Sequence, residues 1–142
     1  MPRAKVLIRV PFSDVDLSTR VHFTAMLRYM EAAEHELMRS IGFPFTDLFE
    51  QFVAPRVHVS CDYRAALHYD DQVAVEAYVE KVGRTSWTMG FIMRSLQASQ
   101  DANEEGTLVA EGRMTVVLVD RQTQRSTPLP DALRLALMHS QY

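Results

Sequence analysis

The chain has 142 residues, 47% apolar and 23% charged, with a formal net charge of −3 and one cysteine. This length and balance suit one soluble domain, 1–142, that buries a core without metal or disulfide support. The mild acidity argues against a nucleic-acid module, no apolar run reaches membrane-spanning length, and a lone Cys61 forbids an intrachain disulfide.

Lys5 to Pro11 reads as a strand, with Val6, Ile8 and Val10 on one side and Lys5, Leu7 and Arg9 on the other. The basic start, Met1 to Lys5, runs into an apolar stretch broken by Arg9, which does not suit a secretory leader, so a cytoplasmic location is expected. Pro11 ends the strand. The connector that follows, Phe12 to Thr24, carries two carboxylates, Asp14 and Asp16. From Thr24 to Ile41 the spacing turns helical: Met26, Leu27, Met30, Ala33, Leu37, Met38 and Ile41 make one apolar stripe. Thr24 is the expected N-cap, and Gly42 with Pro44 beyond it the expected stop.

One helical turn is expected around Asp47–Gln51, and the rest reads as strands. Val57, Val59, Cys61 and Tyr63 alternate with polar residues, as do Val73, Val75, Ala77 and Val79. Val82-Gly83-Arg84 reads as a turn into a run with Trp87, Met89, Phe91 and Met93 on one face. Gln97 to Gly106 is polar and acidic and reads as a hairpin loop. One long strand is expected from Thr107 to Asp120, and a short helix from Asp131 to Met138 after Pro128 and Pro130. Strand, helix, then four strands joined by hairpins predicts an α+β fold, its antiparallel sheet wrapped around the helix. A dimer that extends or covers the sheet is expected from the mixed polarity of the second face.

The connector holds the chemistry. A carboxylate beside a helix start meets unpaired N–H groups and a partial positive charge. A carboxylate plus a preorganised donor can attack a polarised carbonyl. Asp16 is the candidate base or nucleophile, with a plain turn or cap role as its competing reading. The N–H groups of Phe23 and Thr24 are the candidate oxyanion donors. His22 could orient water or donate to a substrate near neutral pH, against a structural or surface role. Asp14 is expected to fold back and hold the connector through main-chain N–H groups, with a solvated surface carboxylate as its competing reading. The five histidines show no ligand spacing, so no metal site is expected. No glycine-rich phosphate loop is present, and Cys61 reads as an inert, strand-borne thiol.

Order and motif together resemble the hotdog-fold acyl-CoA thioesterases, in the branch of 4-hydroxybenzoyl-CoA thioesterase. The resemblance rests on Phe12-Ser13-Asp14-Val15-Asp16, Leu27-Arg28-Tyr29-Met30-Glu31, Gly42-Phe43-Pro44 and Tyr69-Asp70-Asp71-Gln72-Val73. It covers nearly the whole chain. Some positions depart from the family pattern: Leu17-Ser18-Thr19 stand where small residues or glycines are usual, and Ala25 where Asn is common. The resemblance implies a hotdog fold, with one long central helix wrapped by an antiparallel sheet of about five strands and a short C-terminal helix. It implies hydrolysis of an acyl-CoA to free acid and CoA, with Asp16 as the catalytic carboxylate and a homodimer or homotetramer as the assembly. No cofactor is expected, because coenzyme A is part of the substrate. Arg84 and Ser86, at a turn and strand start, are implied CoA contacts, with Arg64 and Lys81 as further candidates. The competing function is a non-catalytic acyl-CoA-binding or assembly module on the same scaffold. A hotdog dehydratase ranks below both, since no helix-borne His and carboxylate arrangement matches it.

Overall fold

Helix α1 spans Ala25–Ser40, and its stripe decides where it lies. Ala25, Met26, Tyr29, Met30, Ala33, Leu37 and Met38 are all buried, at the three- and four-residue spacing of a single helix face. Each of the large side chains contributes about 1.5–3 kcal/mol by leaving water. The helix stops where expected. Gly42 takes a φ of +87°, its N–H donates to Arg39 O, and the Phe43 N–H reaches back to Met38 O. Only glycine adopts that backbone without strain.

The computed structural model describes residues 1–96 and 106–139. The hairpin loop expected after Gln97 therefore lies, up to residue 105, outside the described residues. In chain order the elements are β1 (Arg3–Arg9), α1, α2 (Phe45–Leu48), β2 (Phe52–Val53), β3 (Arg56–Tyr63), β4 (Gln72–Val82), β5 (Ser86–Ser95), β6 (Thr107–Val117), β7 (Val119–Asp120) and α3 (Asp131–Met138). A single 3-10 turn, Phe12–Asp14, opens the connector. At 16 residues, α1 is longer than the other two described helices.

Five strands form one antiparallel sheet in the order β1-β4-β5-β6-β3. Val73, Val75, Ala77 and Val79 of β4 and Trp87, Met89, Phe91 and Met93 of β5 are buried as their alternation predicts. α1 packs on that face. Gly112 of β6 lies beneath it, where a Cβ would come within 2.3 Å of the Met30 methyl. The missing side chain is what lets the helix settle onto the sheet.

Two sequence expectations are corrected. Consecutive strands are not all hairpin partners, because β3 pairs with β6 and β4 pairs with β1, so the link from β3 to β4 crosses the sheet. The long last strand is two strands. It breaks at the buried Leu118, after which β7 leaves the main sheet to pair with β2.

Candidate active site

The connector between β1 and α1 is itself a small hairpin. His22 N–H donates to Asp14 O at 2.7 Å, Val15 pairs with Val21, and Asp16 N–H donates to Arg20 O at 3.2 Å. Leu17, Ser18 and Thr19 make the tip. Thr19 adopts a φ of +68°, a left-handed backbone that β-branched residues rarely take.

The two carboxylates have separate jobs. Asp14 is buried, at 5% exposure. It accepts hydrogen bonds from the Tyr29 hydroxyl, at 2.6 Å, and from Arg28 Nη2, both on the first turns of α1. Burial pushes its carboxyl up, but the bonds from Tyr29 and Arg28 and the guanidinium charge outweigh that, and the pKa ends below its ordinary value. Asp14 thus pins the connector to the helix by side chains, and its own carbonyl then holds His22. The expected anchor is real, but it runs through α1 and not through main-chain N–H groups.

Asp16 is exposed. Its Oδ1 accepts from the Ser18 N–H at 2.8 Å and from the Ser18 hydroxyl. The Ser18 hydroxyl, then the Ser18 amide, hold the carboxyl below the usual aspartate range, with a smaller contribution from His22. Asp16 is therefore a carboxylate at neutral pH.

At the helix entrance, Thr24 does not cap with its hydroxyl. Oγ1 lies 2.7 Å from His22 Nδ1, and the Thr24 N–H lies 3.3 Å from the same nitrogen. An amide donating to Nδ1 favours the tautomer with the ring proton on Nε2. The His22 and Phe23 rings pack at 4.7 Å between centroids. The Ala25 N–H donates to His22 O at 2.9 Å. The Phe23 N–H meets no acceptor among the described residues.

Beside this entrance lies a cleft of about 310 Å³, lined by Arg20, Val21, Phe23, Met26, Tyr63, Arg64, Ala65, Ala66 and Leu67. Its lining mixes apolar side chains with the two guanidinium groups of Arg20 and Arg64. Asp16 is not among the lining residues of one protomer. Arg64, expected as a coenzyme A contact, shares the cleft with Phe23 and also pairs with Glu111 at 3.3 Å. Arg84, Ser86 and Lys81 stand at the opposite end of the sheet, where β4 turns into β5, the length of a strand away. There Arg84 O accepts from Leu129 N–H and from Arg134. Within one protomer the fold joins Arg64 with Phe23 and keeps the other three apart from them. Arg20 and Tyr63 were missed by sequence reasoning. Tyr63 ends the alternating run of β3 and gave that signal only as a strand residue.

A family model described as the Thioesterase-like superfamily matches residues 10–137. The chain belongs to the Thioesterase-like superfamily. The chain is similar to a 1,4-dihydroxy-2-naphthoyl-CoA hydrolase of Synechococcus sp. (strain CC9605), 29% identical over 131 residues, which cover 87% of this chain and 82% of that protein. Among solved structures, a 1,4-dihydroxy-2-naphthoyl-CoA thioesterase from Synechocystis superposes with a TM-score of 0.83 at 18% identity, covering 95% of both chains. A gentisyl-coenzyme A thioesterase superposes with a TM-score of 0.80 at 22% identity, covering 94% of this chain and 98% of that one. At those identities the superpositions establish the hotdog fold. Together with the superfamily match and the named relatives, the enzyme class is thioester hydrolase.

Cys61 is half-buried, and burial pushes its thiol up, so it is no thiolate at neutral pH. Met30 and Trp87, both fully buried, are core residues. No helix among the described residues is long and apolar enough to cross a membrane.

Proposed function

We propose that this chain hydrolyses an acyl-CoA thioester to the free acid and CoA. The observation that carries the reading is the helix entrance: a Phe23 N–H without an acceptor among the described residues, on a residue that lines a cleft together with Arg20 and Arg64. A thioester carbonyl needs a donor for the charge that gathers on its oxygen, and the first N–H groups of a helix supply one. Phe23, with Thr24 beside it, takes that role. Asp16, ionised at neutral pH, acts as general base for water or as the nucleophile. His22, next to Phe23 in the chain, takes the role of orienting the water or donating to the departing thiolate. The guanidinium groups of Arg64 and Arg20 suit the phosphates of coenzyme A, since arginine matches phosphate oxygens in paired hydrogen bonds. Lys81, Arg84 and Ser86 act in the same site only if a second copy supplies them.

A second copy is part of this reading, because Asp16 lies outside the cleft of its own protomer. Strand β3 is a sheet edge carrying exposed Val57 (61%), Val59 (41%) and Tyr63 (47%). The other edge, β1, is studded with Arg3, Lys5 and Arg9, a pattern that discourages strand addition. We take β3 as the dimer edge, in a homodimer or a dimer of dimers, cytoplasmic, with one hotdog domain per chain. The hydroxyaryl-CoA esters named for the relatives are the first substrates to test, and the 4-hydroxybenzoyl ester belongs beside them.

The test is thiol release by the wild type across short-chain, long-chain and hydroxyaryl acyl-CoA esters. Hydrolysis of at least one ester is expected. The binding-module reading draws on the capture of the Asp16 carboxylate by Ser18. It predicts a calorimetric binding isotherm with acyl-CoA and no thiol release from any ester in the panel.

A further inference from the structure

The Tyr63 hydroxyl, at the end of β3, donates to the main-chain carbonyl of Phe23 at 2.7 Å. That carbonyl and the Thr24 N–H are opposite ends of one planar peptide unit. Whatever holds the oxygen aims the N–H, and a donor on the oxygen strengthens the N–H as a donor in turn. The preceding peptide is held by local bonding, since His22 O accepts from the Ala25 N–H. Among the described residues the oxygen of the Phe23–Thr24 peptide has this one tie, from a distant strand, while its N–H has only the 3.3 Å contact with His22 Nδ1.

We infer that Tyr63 is a positioning residue for thioester hydrolysis: its hydroxyl fixes and polarises the Phe23–Thr24 peptide, so that the Thr24 N–H serves as the second oxyanion donor beside that of Phe23. The inference rests on the thioesterase reading above and deepens it. Tyr63 and Phe23 line the same cleft, so the tie is built into the wall of the site. Tyr63 is 47% exposed within one chain and lies outside its hydrophobic core. The 3.3 Å contact from the Thr24 N–H to His22 Nδ1 is long, and an oxygen gaining charge is a better acceptor than a neutral imidazole. Burial, with the neighbouring Cys61, holds the Tyr63 phenol up to about 12, so it stays a donor through the neutral range.

The experiment compares wild type, Tyr63→Phe, and protein with a series of fluorinated tyrosines at position 63. Tyr63→Phe keeps the ring and removes only the donor. It is expected to lower kcat about tenfold, the effect of losing roughly one hydrogen bond's worth of transition-state stabilisation, with little change in KM or melting temperature. Across the fluorotyrosines, kcat is expected to rise with phenol acidity, a trend that a purely structural role does not produce. The Thr24 amide proton resonance, read by NMR without substrate, is expected to shift upfield in Tyr63→Phe. If the wild type hydrolyses its ester but kcat is flat across the series, the inference is overturned and the thioesterase reading stands. If the wild type hydrolyses no ester, the thioesterase reading fails, and an unmoved Thr24 amide overturns the positioning claim independently.

Discussion

Burial pushes the Asp14 carboxyl up, and two donors from α1 more than offset that. Removing it leaves the buried Tyr29 hydroxyl without its acceptor. Asp14→Ala is therefore expected to cost about 3 kcal/mol in urea unfolding, most of it the loss of a hydrogen bond to a charged acceptor. Because the folded pKa lies below the unfolded one, this stabilisation is fully present above an unfolded value of about 3.9 and drains away as pH falls through the folded value. The mutant and wild-type stabilities should converge at low pH. The burial of Tyr29 and its bond to Asp14 raise the phenol well above its ordinary value, so the donor stays protonated throughout. The two-carboxylate connector was legible from spacing alone, and so was a structural role for Asp14. Its partners were not, because Arg28 and Tyr29 reach it only once the helix has turned them toward the hairpin. Thr24 reads as a cap from its place in the chain. The neighbouring imidazole outcompetes that role, and such a contact depends on the path of the connector.

Helix α1 is fastened to the start of β3 by a second charged pair. Glu34 is 1% exposed, and Arg56 grips it with two bonds, Nη1 to Oε2 at 2.8 Å and Nη2 to Oε1 at 2.6 Å. Arg56 also reaches Glu31 at 3.3 Å. A helix-borne Glu beside Glu31 and His35 reads from sequence as part of a solvated face, and burial of Glu34 reverses that. Arg56→Met should cost about 3–5 kcal/mol, because it strands a buried charge, whereas the double change Glu34→Leu with Arg56→Met should recover most of the loss. Equilibrium unfolding of the four proteins decides it, and equal stability of single and double variants would contradict it. The helical stripe and the inward faces of β4 and β5 followed from periodicity, which reports local burial. The crossover from β3 to β4 did not, since strand order depends on which edges meet, and alternation carries no record of that.

At the scale of the whole molecule, the two sheet edges differ in kind. β3 offers valines and β1 offers cations, so association is expected along β3. Val59→Lys should shift the protein toward monomer in sedimentation velocity without lowering its melting temperature. An unchanged oligomer would move the interface elsewhere. The fold class was legible because element order and four short motifs agree along the chain. The completeness of the site was not, because Asp16 stands at a hairpin flank while Phe23 lines the cleft, and within one protomer Asp16 is not among the lining residues. The most direct measurement is therefore the rate of CoA release by Asp16→Asn against wild type on its best ester, with circular dichroism melts alongside. A fall of about a thousandfold or more with an unchanged melt is predicted, as for loss of a group that acts directly on the reacting atoms. Turnover equal to wild type would remove Asp16 from the mechanism.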